Sequence, residues 1–179
     1  SLIFDCDGVL IDITKSYDET IIITTKYVLE SLVKIHDSIN IDFKIIDGFK
    51  STGGFNDEVD LTYAAILSLV AANNLKQDPT KFIFTVIQNS DSTGIKSVEN
   101  FLKEQTDISK IINLLSYPGS HKENILYKIF DQLFYGPELY LKLFETNSNF
   151  SEPGLIENDE VIFNNELCKK LQKKFGSQI

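Results

Sequence analysis

The chain opens on a short apolar run, Leu2-Ile3-Phe4, that ends at Asp5. It predicts a buried strand over residues 2–5 running into an acidic turn. Gly8 to Ile13 is then a loop or flap. From Ser16 the apolar positions fall at helical spacing, with Tyr17, Ile21, Thr24, Val28 and Leu32 on one face. Residues 37–56 are polar, contain Gly48, Gly53 and Gly54, and read as loop. Asn56 or Asp57 caps a helix through about Ala72, with Leu61, Ala64, Ala65, Leu69 and Ala72 as a small-residue packing face. Asp78-Pro79 opens a further helical segment through residue 88. Helices are expected at 95–103, 107–115, 122–134 and 137–144, punctuated by Pro118-Gly119 and Gly136-Pro137. Residues 146–160 read as a linker. Asn164 or Asn165 caps a last helix that ends at Phe175, with Gly176 as its stop and lysines in its final turns.

One short strand and a long helical block leave the strand's edges without partners in this chain. The expectation is a fold whose remaining sheet lies outside these 179 residues.

Composition narrows the function. With 17 basic residues, all Lys, against 26 acidic ones, the net charge is -9, and neither nucleic acid nor an anionic membrane surface is an expected partner. No apolar run approaches a membrane span, and Asp5 and Asp7 interrupt the apolar start before it could act as a signal peptide. Cys6 and Cys168 form no disulfide framework or metal cluster, which points to a cytoplasmic setting. His36 and His121 match no zinc spacing and read as structural or surface residues.

The chemistry concentrates at Asp5-Cys6-Asp7-Gly8. In a strand the two carboxylates point the same way and Cys6 points into the core. Gly8 permits a sharp turn. Two like charges this close call for a cation or a shared proton, and Mg²⁺ held by carboxylate and phosphate oxygens suits them. Asp5 is placed to attack phosphorus, and Asp7 to protonate the leaving oxygen and then activate water. The alternative is an ordinary turn whose aspartates cap the backbone.

The run from Leu2 to Asp12 resembles motif I of the haloacid dehalogenase superfamily, in the form found in its phosphatases: an apolar strand, Asp-x-Asp-Gly-Val, then further apolar residues. The resemblance implies an α/β fold, with a Rossmann-like parallel core and an inserted all-helical cap. Residues 1–15 would be the first core strand and catalytic loop, 16–150 the cap, and 151–179 the linker and helix returning to the core. It makes Asp5 the nucleophile and Asp7 the acid/base, with Mg²⁺ held by the Asp5 carboxylate and the Asp7 carbonyl. Lys50 to Asp57 resembles a cap segment that faces the catalytic aspartate in such proteins. Lys50, Thr52, Gly53, Gly54 and Asn56, with Gly8, would then meet a small phosphorylated metabolite. The family's phosphoryl-holding Ser or Thr, its Lys and its acidic metal ligands are expected beyond Ile179, so this chain alone is expected to be inactive. Thr85, Lys122 and Lys142 imitate those motifs but fall in the cap. The implied reaction is Mg²⁺-dependent phosphomonoester hydrolysis through an aspartyl-phosphate. A phosphomutase of the same superfamily, or an inactive helical interaction module, is the alternative. Phe130, Phe134, Tyr135, Tyr140 and Phe144 fall at helical spacing and read as cap core, some of them facing the catalytic side.

Overall fold

The computed structural model describes residues 3–36 and 41–176. Leu2, the beginning of the expected 37–56 loop and the last three residues lie outside that range. The described chain is mostly helical. In order it forms β1 (Ile11–Asp12), α1 (Thr14–Tyr27) continued by a wider π-helical stretch (Val28–Val33), α2 (Phe43–Ser51), α3 (Glu58–Leu75), α4 (Pro79–Gln88) and α5 (Ile95–Gln105). Then follow α6 (Ser109–Leu115), α7 (Ile125–Phe144), a 3₁₀ turn (Leu155–Asn158), β2 (Glu160–Val161) and α8 (Asn165–Phe175).

The centre of the body is α3. Leu61 through Ala72 are buried without interruption, so this helix has no solvent face. The sequence predicted a single packing stripe; instead α1, α4 and α5 surround the helix, and α7, α2 and α6 add further contacts. Its buried hydroxyls are satisfied: Thr62 Oγ1 donates to the Glu58 carbonyl and Ser68 Oγ to the Ala64 carbonyl, each at 2.7 Å, and the Tyr63 hydroxyl donates to Glu99 Oε1 of α5 at 2.9 Å. The helix starts are set by side-chain caps. Asp42, Asp57, Asp78, Asn124 and Asn164 each accept a backbone N–H from the first turn of the helix that follows.

Two expectations change. The segment taken as loop contains α2, because Ile45, Ile46 and Phe49 turn inward behind the Asp42 cap. The strand expected over residues 2–5 does not form among the described residues, where Ile3 is 93 % exposed and Phe4 40 % exposed. Among the described residues no strand lies beside residues 3–5 to take up their backbone groups. The described residues contain one antiparallel pair, β1 with β2, which sets Ile11 opposite Val161 and Asp12 opposite Glu160. No parallel sheet occurs among the described residues.

The expected break at Gly136-Pro137 is a kink within α7, where Gly136 takes φ 69° and ψ 172°. A side chain at Gly136 would strike the backbone of Gly154, and one at Gly154 would strike Tyr135. This mutual glycine contact lets the returning chain cross the kink backbone to backbone. No helix among the described residues is long and apolar enough to cross a membrane.

Candidate functional site

The acidic turn is a tight loop. The Cys6 carbonyl accepts from the N–H groups of Leu10 and Ile11 at 2.8 and 3.0 Å, and Gly8 N–H donates to the Ile11 carbonyl at 2.7 Å. Gly8 sits at φ 71° with open space around it, a conformation that glycine adopts freely. The returning chain pins this loop from outside: Ile162 and Phe163 N–H both donate to the Leu10 carbonyl, and the Phe4 and Phe163 rings meet at 5.8 Å. Asp5 and Asp7 both face solvent. One Asp5 oxygen accepts the Cys6 N–H at 2.8 Å, which fixes its carboxylate against the loop. Cys6 is exposed, contrary to the inward position expected of it, because the backbone here is a turn and not a strand. Asp12 accepts the Thr14 N–H at 3.0 Å, and hydrogen bonding from Thr14 holds its carboxyl below the usual range.

The residues expected to meet substrate divide into two groups. Lys50 leaves α2 and reaches across to Asp18 of α1, with Nζ 3.3 Å from Oδ1. Asp18 is only 4 % exposed, and its burial raises its pKa despite the lysine. Thr52 closes α2 by donating to the Phe49 carbonyl. Gly53, at φ 78°, continues that turn, and Gly54 abuts the 91–94 loop so closely that a Cβ would lie 2.5 Å from the Asp91 carbonyl oxygen. The glycine pair therefore ends a helix and lets two loops touch. Asn56 differs from these: it stands at the lip of a cavity, just before the Asp57 cap and Glu58.

That cavity, of about 370 Å³, is lined by Tyr17 of α1, the stretch Asn56 to Val59, His121, and Tyr127, Phe130, Asp131, Phe134 and Tyr135 of α7. Tyr17 and Phe134 stack at 4.5 Å, and His121 stands edge-on to Tyr127 at 4.3 Å. His121 Nε2 lies 3.0 Å from Asp131 Oδ2. Burial pushes the Asp131 carboxyl up to about 6, with His121 pulling the other way. Burial also raises Glu58 above its ordinary value. The Tyr17 hydroxyl is pushed up to about 12 by burial, with negative charge on Glu58, Asp7 and Asp159 adding to the effect. Tyr17 thus feels the charge of Asp7 from its place in the cavity wall.

No family model matches this sequence. No curated protein matches it either. Among solved structures, a phosphatase from Thermococcus thioreducens, Tt82, superposes with a TM-score of 0.63 over 96 % of this chain and 58 % of its own, at 22 % identity. The chain shares the fold of that protein over the matched part. It spans less than two thirds of that protein's length.

Sequence reasoning missed Tyr17, Glu58, His121 and Asp131 as neighbours in one cavity. His121 and Asp131 meet because the chain turns at Asn124 into α7, and the nine intervening residues carry no periodic sign of that contact. The aromatic spacing was a usable signal: Phe130, Phe134 and Tyr135 all line the cavity, although it was read first as core. Thr85 is exposed on α4 and donates back to the Lys81 carbonyl, far from the setting of a phosphoryl-holding residue at a strand end.

Proposed function

We propose that this chain carries the nucleophile loop and helical cap of a phosphomonoester hydrolase of the haloacid dehalogenase type, acting on a small phosphorylated metabolite. The observation that carries the reading is the exposed Asp5–Asp7 pair on a loop closed by its own backbone hydrogen bonds, carried by the same chain as an open cavity lined by α1, the start of α3 and α7. The shared fold with a phosphatase supports it. The parallel core that such an enzyme needs is part of the proposal.

The free Asp5 oxygen attacks phosphorus in line, forming an Asp5–O–P bond as the bond from phosphorus to the leaving oxygen breaks. Asp7 gives its proton to that oxygen, so the leaving group departs as a neutral alcohol. Water then attacks the same phosphorus, Asp7 takes its proton, and the Asp5–phosphorus bond breaks to release phosphate. The cap cavity holds the leaving group and keeps bulk water away from the reacting atoms.

The two carboxylates suit Mg²⁺, which prefers hard oxygen donors and retains water. Among the described residues no third acidic, His or Cys side chain completes a metal-holding group, so water and the substrate phosphate would fill the remaining positions. The Asp5 carboxylate and the Asp7 backbone carbonyl would hold the ion, which would supply positive charge to the phosphoryl oxygens and leave the Asp7 carboxyl for proton transfer.

In the protein that joins this chain to its parallel core, Asp5→Asn is expected to lower turnover of a chromogenic aryl phosphate by on the order of 10⁴-fold or more, with the melting temperature unchanged. Wild-type turnover in that variant would remove Asp5 as nucleophile and the reading with it.

A further inference from the structure

The cavity between α1, the start of α3 and α7 has an uneven chemistry. Its volume, about 370 Å³, suits a small molecule or part of one. Aromatic side chains from α1 and α7 form much of its wall: Tyr17, Tyr127, Phe130, Phe134 and Tyr135. Its charged lining consists of Asp57, Glu58, Asp131 and His121. His121 is the one lining residue able to carry positive charge, and Asp131 already holds it. Lys50, the cation that acts on Glu58 from α2, is committed to Asp18. Asp57 caps α3 through one oxygen, and Glu58 makes no ion pair among the described residues. Toward the turn, Asp7 and Asp159 extend the negative field, and Asp159 Oδ1 is buried with no hydrogen-bond partner.

A second phosphate or a carboxylate would meet this field unfavourably. A positive group gains twice, from the carboxylates and from the negative faces of the rings. We infer that the cavity binds an amine-bearing group and, resting on the phosphomonoesterase reading, that this group is the leaving group of the substrate, making the preferred substrates amino-alcohol phosphates. Glu58 supplies the counter-charge, and the aromatic wall encloses the alkyl-ammonium.

Binding is tested apart from turnover by titrating the protein with ethanolamine, ethylene glycol or glycolate and following backbone amide shifts. Ethanolamine is expected to shift Asn56 to Val59, His121 and Tyr127 to Tyr135. It should bind about tenfold more tightly than ethylene glycol, and glycolate should bind weakest. Glu58→Gln should remove that preference and leave ethylene glycol binding as it was. Equal affinity for amine and glycol, or an unchanged preference in Glu58→Gln, overturns the inference. If Glu58→Gln does not fold, titration of the wild type with choline against its isosteric neutral analogue, 3,3-dimethylbutan-1-ol, gives the same comparison, and no preference for the cation overturns it. Turnover of ethanolamine phosphate is then compared with that of glycerol phosphate. Amine binding with no hydrolysis of any phosphate ester by the protein that joins this chain to its parallel core sinks the hydrolase reading and the leaving-group assignment, while the amine site stands. Hydrolysis without amine preference sinks the amine site and leaves the hydrolase.

Discussion

The α3 helix and the segments around the acidic turn stand at opposite ends of the same folding physics. Every residue from Leu61 to Ala72 is buried, and the polar groups among them are hydrogen-bonded. Around the turn the apolar side chains face outward: Ile3, Val9, Val161 at 71 % exposure, Ile162 and, on α8, Leu167 and Phe175. No residue of α8 is buried. The helical body obtains its stability from packing, whereas the turn keeps its shape mainly through backbone hydrogen bonds to Cys6, Leu10 and Ile11. The aspartates proposed to meet a substrate lie where packing is least, and the cavity lies between helices of the packed body.

The largest contrast in stability is expected from truncation within the body. Leu67 is fully buried on α3. Leu67→Ala should cost about 2–5 kcal/mol through lost burial and the cavity left behind. A urea titration reads this directly as a lower midpoint with little change in slope. A cost below about 1 kcal/mol would mean that α3 is not the packed centre described above.

A smaller effect, with a pH signature, is expected at the cavity between the packed helices. Asp131 is 8 % exposed, and its carboxyl is pushed from 3.8 up to about 6 by burial, with His121 opposing the shift. An acid held above its unfolded value binds its proton more tightly when folded. Its contribution therefore favours the folded state at low pH and is lost as pH rises from about 4 through about 6. Asp131→Asn cannot titrate, so its stability should change less than that of the wild type across this window. Parallel pH profiles of the urea midpoint for the two proteins would show that Asp131 does not carry the raised value.

The difference between the regions also explains what was legible in the sequence. Helix starts were readable wherever a short polar side chain caps a backbone N–H, as at Asp57, Asp78 and Asn164, because that signal is local. The Gly136-Pro137 break was readable for the same reason. The acidic turn was visible as a motif, but its conformation was misjudged: a strand over residues 2–5 depends on partners that a local pattern does not reveal. Helix α2 was missed because its glycine and flanking polar residues outweighed Ile45, Ile46 and Phe49, whose inward face emerges only against α3 and α4. The cavity was least legible. It joins α1, the start of α3, His121 and α7, and nothing in the spacing of Tyr17, Glu58 and Asp131 announces a common wall.

The smallest effect should come from the outward-facing region, and it tests the comparison from the other side. Leu167 lies on α8 and is 37 % exposed, with no buried residue beside it on the helix. Leu167→Ser removes apolar area that is already largely in water, so its effect should stay within about 0.5 kcal/mol, read by the same urea midpoint. Loss of intrinsic helix preference belongs within that figure, since Ser ranks only modestly below Leu. A cost comparable to that of Leu67→Ala would require Leu167 to be covered in solution by atoms outside residues 3–176. The contrast with α3 would then be one of what packs against each helix, not of how strongly each is packed.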